Sequence, residues 1–267
     1  MMPIKRGSLR IFAGKFYYTL KRYIWWKFSN TKFAIRHSTN RLPYLCFSHK
    51  TPLLRQLKDV DMKLQYNKIE NLKIAISKLD KILIRPNETF SYWKLIGNPT
   101  YKKGYKDGMV LFYGRIGIGV GGGLCQLSNL IYWMTIHTPL TVVERYRHSY
   151  DVFPDSNRTQ PFGSGATCVY NYRDLMIKND TEDTYELILK VSDDYLTGEW
   201  RVSSSPEFSY KVFEKNHSIS HEFWGGYIRH NELYRKRYDK NNNVTEEFVT
   251  ENHAIMMYQP FLENSDE

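Results

Sequence analysis

The stretch Gly117-Ile118-Gly119-Val120-Gly121-Gly122-Gly123-Leu124-Cys125-Gln126 decides how this chain is read. Three consecutive glycines let a backbone turn sharply and leave room beside it. Leu124, Leu127, Ile131 and Met134 then recur at spacings of three or four, which predicts a helix opening directly after the glycines. Pro139 stops that helix. The β-branched run over 141–146 predicts a strand, with His148 just past its end. A helix over 124–136 climbs roughly 18 Å at 1.5 Å per residue. A strand of about six residues covers nearly the same length on its return. The chain can therefore leave Cys125 and come back to the same end at His148.

This spacing suits a nucleophilic thiol. Cys125 falls in the first turn of its helix, where free backbone N–H groups and the positive dipole end favour a thiolate. The same N–H groups can stabilise an oxyanion during acyl transfer. A thiol and an imidazole at one end of the fold form the minimal acyl-transfer pair. The plainer alternative is an inert buried Cys125 beside a surface His148. A third reading follows from Gly117, Gly119 and Gly122, which satisfy G-x-G-x-x-G ahead of a helix, with Glu144 near the place of a ribose-binding acid. A dinucleotide fold should continue as alternating strands and helices, and the rest of this chain reads as hairpins. No Lys follows the glycines, so there is no P-loop.

Three regions extend outward from this centre. Residues 59–176 form the functional core. There, Ile69, Leu72, Ile76, Leu79 and Leu83 predict an amphipathic helix over 68–83. Arg85-Pro86-Asn87 breaks it, and 88–95 continues as turn and strand. Residues 177–267 read as β. Strands are predicted over 185–191 and 198–203, separated by Asp193-Asp194, then over 208–213, 226–229, 233–238 and 247–250. The class is α+β, a mixed helical and β core with a Gly-rich turn leading into a helix, followed by a β-rich C-terminal region.

Residues 1–58 are basic and aromatic. They contain thirteen Lys or Arg and no Asp or Glu, whereas the remainder carries twenty-five basic and twenty-eight acidic residues. The whole net charge of +10 is therefore N-terminal. A helix over 9–28 would carry Phe12, Phe16, Leu20 and Ile24 down one side. Such a segment fits an anionic membrane surface, because rings sit at the interface while Lys and Arg meet phosphate. The plainer reading packs its aromatic face on the domain. Nucleic acid is not expected, since no recognised binding motif accompanies the charge.

With 267 residues, 42% hydrophobic and 25% charged, the composition is globular, enough for one large domain or two small ones. The three cysteines, Cys46, Cys125 and Cys168, do not describe a disulfide scaffold. Cys46 and Cys168 read as buried small apolar residues. The apolar stretch 11–20 is interrupted by Lys15, so no signal peptide is evident, and no run approaches the roughly 20 residues of a transmembrane helix. The expected location is cytoplasmic, or peripheral on the cytoplasmic membrane. His217, His221 and His230 lie near one another in sequence, but no HExxH or CxxC occurs, and neither a metal nor an organic cofactor is expected. Glu88 reads as a turn-capping carboxylate, Lys106 and Asp107 as loop charges, and Tyr92 and Trp93 as groove or core aromatics.

The segment 121–130, then His137-Thr138-Pro139-Leu140-Thr141, then Glu144-Arg145 with His148, resembles the VanW family. That family accompanies vancomycin B-type glycopeptide resistance and occurs more widely as a cell-wall-associated domain. The resemblance extends to Leu42-Pro43-Tyr44-Leu45, Asn71-Leu72-Lys73, 86–93, Tyr105-Lys106-Asp107-Gly108, and Asp174-Leu175 with Asn179-Asp180-Thr181. It implies a cysteine acyl transferase of L,D-transpeptidase type that makes 3-3 cross-links between peptidoglycan stems. Cys125 would be the nucleophile and His148 the base. Gln126 and the N–H groups of the turn at Gly122 and Gly123 would hold the oxyanion. Arg145 is of the right type to grip a substrate carboxylate. The implied partner is a peptidoglycan stem peptide or cell-wall precursor. The alternative within the same resemblance is a non-catalytic accessory protein that binds precursor or the membrane surface.

Overall fold

Leu130 and Met134 explain how the central helix finds its place. In the computed structural model, which describes residues 7–54, 61–112, 114–152 and 160–260, both approach Gly198. A Cβ at Gly198 would stand 2.6 Å from Met134 Cε, so the glycine lets the helix settle closely on the sheet. Trp200, two residues on and on the same face, donates from Nε1 to Thr135 Oγ1 at 3.1 Å. These contacts seat the helix against the strand that carries Gly198.

The helices are α1 (Ser8–Phe28), α2 (Met62–Leu79), α3 (Tyr92–Ile96) and α4 (Cys125–Thr135). The strands in the first half are β1 (Lys32–Phe33), β2 (Arg36–His37), β3 (Tyr44–Pro52), β4 (Ile82–Ile84), β5 (Glu88–Ser91), β6 (Asp107–Phe112) and β7 (Arg115–Val120). Those that follow are β8 (Thr141–Glu144), β9 (Tyr150–Asp151), β10 (Met176–Lys178), β11 (Tyr185–Val191), β12 (Tyr195–Val202), β13 (Ser209–His221), β14 (Tyr227–Tyr238) and β15 (Val244–Met256). The architecture is mixed α+β with a β-rich C-terminal region.

Among the described residues the strands form four sheets. Their orders are β1-β5-β10-β8, β2-β4-β11-β12-β3, β13-β14-β15-β9 and the hairpin β6-β7. The second sheet draws β2 and β3 from the basic region, β4 from the core and β11 and β12 from the C-terminal region. The three sequence regions therefore interleave in one sheet. Along β12, buried and half-buried residues alternate, which sends Leu196, Trp200 and Val202 to the core face. Leu72, Ala75, Ile76 and Leu79 of α2 join the same core.

Several boundaries differ from expectation, each for a local reason. The helix expected over 68–83 starts at Met62, capped by Asp61, whose side chain accepts from Lys63 N at 2.8 Å. It ends at Leu79, because Lys81 adopts φ 63° and Ile82-Leu83-Ile84 turn into β4. Leu83 keeps the helical period but pairs with Glu186 of β11. The segment 88–95 divides into β5 and α3, where Ser91 Oγ caps the helix by accepting from Lys94 N at 3.3 Å. The strands expected over 226–229 and 233–238 are one strand, β14. The dinucleotide reading fails, since β7 pairs antiparallel with β6 and, among the described residues, no parallel strand follows α4 beside it.

α1 occupies the span expected for it, but no residue of it is buried. No helix among the described residues is long and apolar enough to cross a membrane.

Candidate functional site

The hairpin β6-β7 delivers the chain to the glycine turn. Gly121 and Gly123 take φ of 73° and 90°, the left-handed region where a side chain is strained. Gly122 passes against the backbone of Gly108, and an added Cβ would lie 2.2 Å from the Gly108 carbonyl carbon. Asn71, buried on α2, ties the crossing together. Its Nδ2 donates to the carbonyls of Lys106 and Gly122, both at 3.0 Å, and its Oδ1 accepts from Lys106 N at 2.8 Å. Lys68, one turn earlier, packs its stem under Gly123 and donates from Nζ to the Leu53 carbonyl and to Gln65 Oε1. Replacing Asn71 by Ala removes the partner of Lys106 N and of the buried Gly122 carbonyl, while the Lys106 carbonyl keeps its bond from Gly121 N. The expected loss of stability is about 3 kcal/mol, read as a lower urea midpoint at unchanged slope.

α4 starts at Cys125. The Leu124 carbonyl accepts from Tyr92 OH at 2.9 Å, which fixes the start of the helix from the α3 side. Gly122 N donates to Gly119 O at 3.0 Å, and Gln126 N to Gly123 O at 3.0 Å. The amides of Gly123 and Leu124 donate to no acceptor among the described residues.

The segment 163–168, a strap without helix or strand, lies along this end of α4. Ser128 Oγ donates to the Ala166 carbonyl at 2.7 Å, and Asn129 Oδ1 accepts from Ala166 N at 2.8 Å. The strap's other side meets the segment after β8, where Thr167 N donates to the Tyr146 carbonyl at 2.8 Å. The Cys125 thiol donates to the Cys168 carbonyl at 3.8 Å. The strap thus runs between the first turns of α4 and Tyr146, two residues before His148. Among the described residues no hydrogen bond joins Cys125 to His148.

Burial pushes the Cys125 thiol up, and backbone contacts at Cys168 and at Cys125 itself draw it only partly back. The thiolate expected from the helix N-terminus gives way to a thiol, because desolvation outweighs the dipole. His148 is half-buried. Its proton affinity is lowered by burial first, then by the cations Arg173 and Arg147. A neutral imidazole results, the form a general base needs.

The remaining expected site residues face the fold. Gln126 donates both amide hydrogens, to the Pro52 carbonyl at 2.8 Å and to Thr51 Oγ1 at 3.0 Å. Arg145 lies over the Tyr132 ring, with its guanidinium carbon 4.8 Å from the centroid. It donates to the Gly163 and Gly165 carbonyls and reaches Thr250 and Asn252. It clamps the strap rather than presenting a free fork. Cys168 is buried as expected, whereas Cys46 is only partly so. Tyr92 and Trp93 are core residues, and Glu88 caps its turn by accepting from Arg85 N at 3.0 Å.

Among the described residues no three His, Cys, Asp or Glu side chains converge as a metal set. His217 accepts from Arg229 Nε, His221 packs on Tyr227, and His230 meets Ser220 and His253.

Sequence reasoning gave Asn71, Ser128, Asn129 and Asp174 no site role. Asp174 is fully buried beside the strap. Its Oδ1 accepts from Trp93 N and Leu175 N, and its Oδ2 from Ser91 Oγ at 2.6 Å. A signal did exist for Asn71, a polar residue beside Leu72 and one turn before Ala75 on the buried face of α2.

A family model described as "VanW like protein" matches residues 67–201, half of the chain. This chain belongs to the VanW family. The VanW match takes in the glycine turn, α4, the strap and Asp174, and ends in β12; α1 and the strands β13 to β15 lie outside it. The chain is 36% identical over 186 residues to the "Vancomycin B-type resistance protein VanW" of Enterococcus faecalis (strain ATCC 700802 / V583), covering 70% of this chain and 68% of that protein. It is 34% identical over 109 residues to the "Uncharacterized protein YoaR" of Bacillus subtilis (strain 168), covering 41% of this chain and 34% of that one. No solved structure matches.

Proposed function

We propose that this chain serves glycopeptide resistance and peptidoglycan metabolism as a cysteine acyl transferase of L,D-transpeptidase type. Its relative named for vancomycin B-type resistance supports the first part of this reading. One observation carries the second part. The Cys125 thiol opens α4, and just before it lie the amides of Gly123 and Leu124, which donate to no acceptor among the described residues.

The chemistry runs as two acyl transfers. His148 takes the Cys125 proton as the thiol leaves the Cys168 carbonyl. The sulfur attacks the carbonyl carbon that precedes a terminal D-alanine on a peptidoglycan stem. The free amides stabilise the oxyanion. The C–N bond breaks, the proton passes to the departing D-alanine amine, and a thioester remains on Cys125. An amine from a neighbouring stem then attacks the thioester, forms the new amide and restores the thiol. A cross-link made this way needs no D-Ala-D-Ala terminus.

The test is intact mass after incubation with a stem peptide ending in D-alanine. Wild type is expected to gain the acyl fragment, Cys125→Ala to gain nothing, and His148→Gln to acylate at least 100-fold more slowly. A second reading is favoured by the enclosed thiol and by the engaged donors of Gln126 and Arg145. It is a non-catalytic accessory protein that binds cell-wall precursor. That reading holds if wild type gains no mass while stem binding survives Cys125→Ala.

A further inference from the structure

α1 has an apolar face that the fold leaves uncovered. Leu9, Phe12, Phe16 and Leu20 are three or four apart and therefore share one side of the helix. Leu9 is 81% exposed, Phe12 69% and Phe16 65%. Ile24 extends the same side and is also exposed. The helix docks through a different side, where Arg22 and Trp26 are half-buried. An amphipathic helix in a folded domain ordinarily spends its apolar stripe on the core, and this one does not.

The charge around the stripe says what covers it. α1 carries Arg10, Lys15, Lys21, Arg22 and Lys27 and no acidic residue. At about 3.6 residues per turn, Arg10 and Lys21 fall along one border of the stripe and Lys15 along the other. Rings and alkyl chains in the middle with cations on both edges match an acyl boundary beneath a layer of phosphates. We propose that α1 lies flat on an anionic phospholipid surface and holds the domain there.

The attachment of α1 to the domain gives this contact a consequence. Arg22 grips Glu144 with both arms, Nη1 to Oε2 at 2.7 Å and Nη2 to Oε1 at 2.5 Å. Tyr23 OH meets Tyr170 OH, and Lys94 Nζ stands 5.3 Å from the Trp26 ring centroid. Glu144 is the last residue of β8, the strand that leads to His148, and its Oε1 also accepts from Asp174 N at 3.1 Å. A helix fixed on the lipid would fix β8 and the strap with it. This inference stands apart from the chemistry proposed for Cys125.

The test is co-sedimentation of the full chain with vesicles of equal phosphatidylglycerol and phosphatidylcholine, and with phosphatidylcholine alone. Wild type is expected to pellet with the first and at least tenfold less with the second, and to be released by salt. Lys15→Glu with Lys21→Glu should weaken partitioning more than 20-fold, at about fivefold for each basic charge near the surface. Phe12→Ser, Phe16→Ser and Leu20→Ser together should weaken it more than tenfold. Thermal unfolding of the triple variant should match wild type, because Phe12, Phe16 and Leu20 are exposed. Equal pelleting with both vesicles, or a triple variant that pellets like wild type, overturns the proposal. So does a lipid-free dimer that the triple variant abolishes, since a second copy would then cover the stripe.

Discussion

Gly122→Ala is expected to remove about 4 kcal/mol of stability, near the upper end for a single added methyl group, because no side chain can rotate out of its way. The new Cβ would stand 2.2 Å from the carbonyl carbon of Gly108 and 2.3 Å from its oxygen. The collision is mutual, since a Cβ at Gly108 would lie 2.4 Å from the Gly122 carbonyl oxygen. Both partners are backbone, held in place by the β6-β7 register and by Asn71. Relief requires the glycine turn to lift from α2, which would break the Asn71 bonds and move the first turn of α4. Gly117→Ala is the control. Its added Cβ would make ordinary contacts with Val110 alone, 3.7 Å from the side chain and 4.0 Å from the carbonyl oxygen, and the expected cost is under about 1 kcal/mol. Urea unfolding of both variants checks the contrast. Equal losses would mean that the crossing at Gly108 yields easily.

This contrast also shows what the sequence makes legible. A glycine run before a periodic apolar segment marks a turn and a helix start, and Pro139 marks the stop. α4 is therefore readable without coordinates. The pair β11 and β12 is readable too, because Asp193-Asp194 separates two alternating runs. What local pattern cannot carry is a partner distant in sequence. Nothing near Gly122 announces Gly108. Nothing in Tyr44–Pro52 announces that it will pair along β12. The run Ile82-Leu83-Ile84 continues the helical period of α2, and only the backbone reversal at Lys81 makes it a strand.

The candidate site divides along the same line. Cys125 at a helix start and His148 after a returning strand follow from element lengths. The strap 163–168 has no periodic pattern. It alone decides that the thiol meets the Cys168 carbonyl and that Arg145 points inward at Gly163 and Gly165. Arg145, three residues before His148, is of the type that grips a substrate carboxylate, and in the fold its guanidinium is engaged by the Gly163 and Gly165 carbonyls and by Thr250 and Asn252, acceptors too distant in sequence for local pattern to reveal.

Asp174 should make the protein less stable as pH rises from about 5 to 8, and Asp174→Asn should remove most of that decline. Burial pushes this carboxyl up to about 7. The Ser91 hydroxyl and the Trp93 amide pull it back, the Glu144 carboxylate adds to the rise, and Arg22 opposes it. In the unfolded chain an Asp titrates near 3.9. Between these values the folded state binds the proton and the unfolded state does not. The contribution is therefore complete below about pH 4 and is lost as pH rises through about 7, by at most about 4 kcal/mol. Asparagine keeps Oδ1 as the acceptor for Trp93 N and Leu175 N, and places an amide nitrogen where Oδ2 now meets Ser91 Oγ. That hydroxyl can accept, as it already does from Lys94 N. The variant should be more stable than wild type at pH 8, by about 3 kcal/mol, and equal to it near pH 4. His137 slopes the other way. Burial first, then the nearby His49 and Arg235, hold it down to about 4 against a bond to the Trp133 carbonyl, so it costs stability as pH falls from about 6.5 toward 4. Both proteins share that acid limb, so the difference between their urea midpoints isolates Asp174. Parallel curves from pH 5 to 8 would mean that the donors Ser91, Trp93 and Leu175 keep the carboxylate ionised throughout.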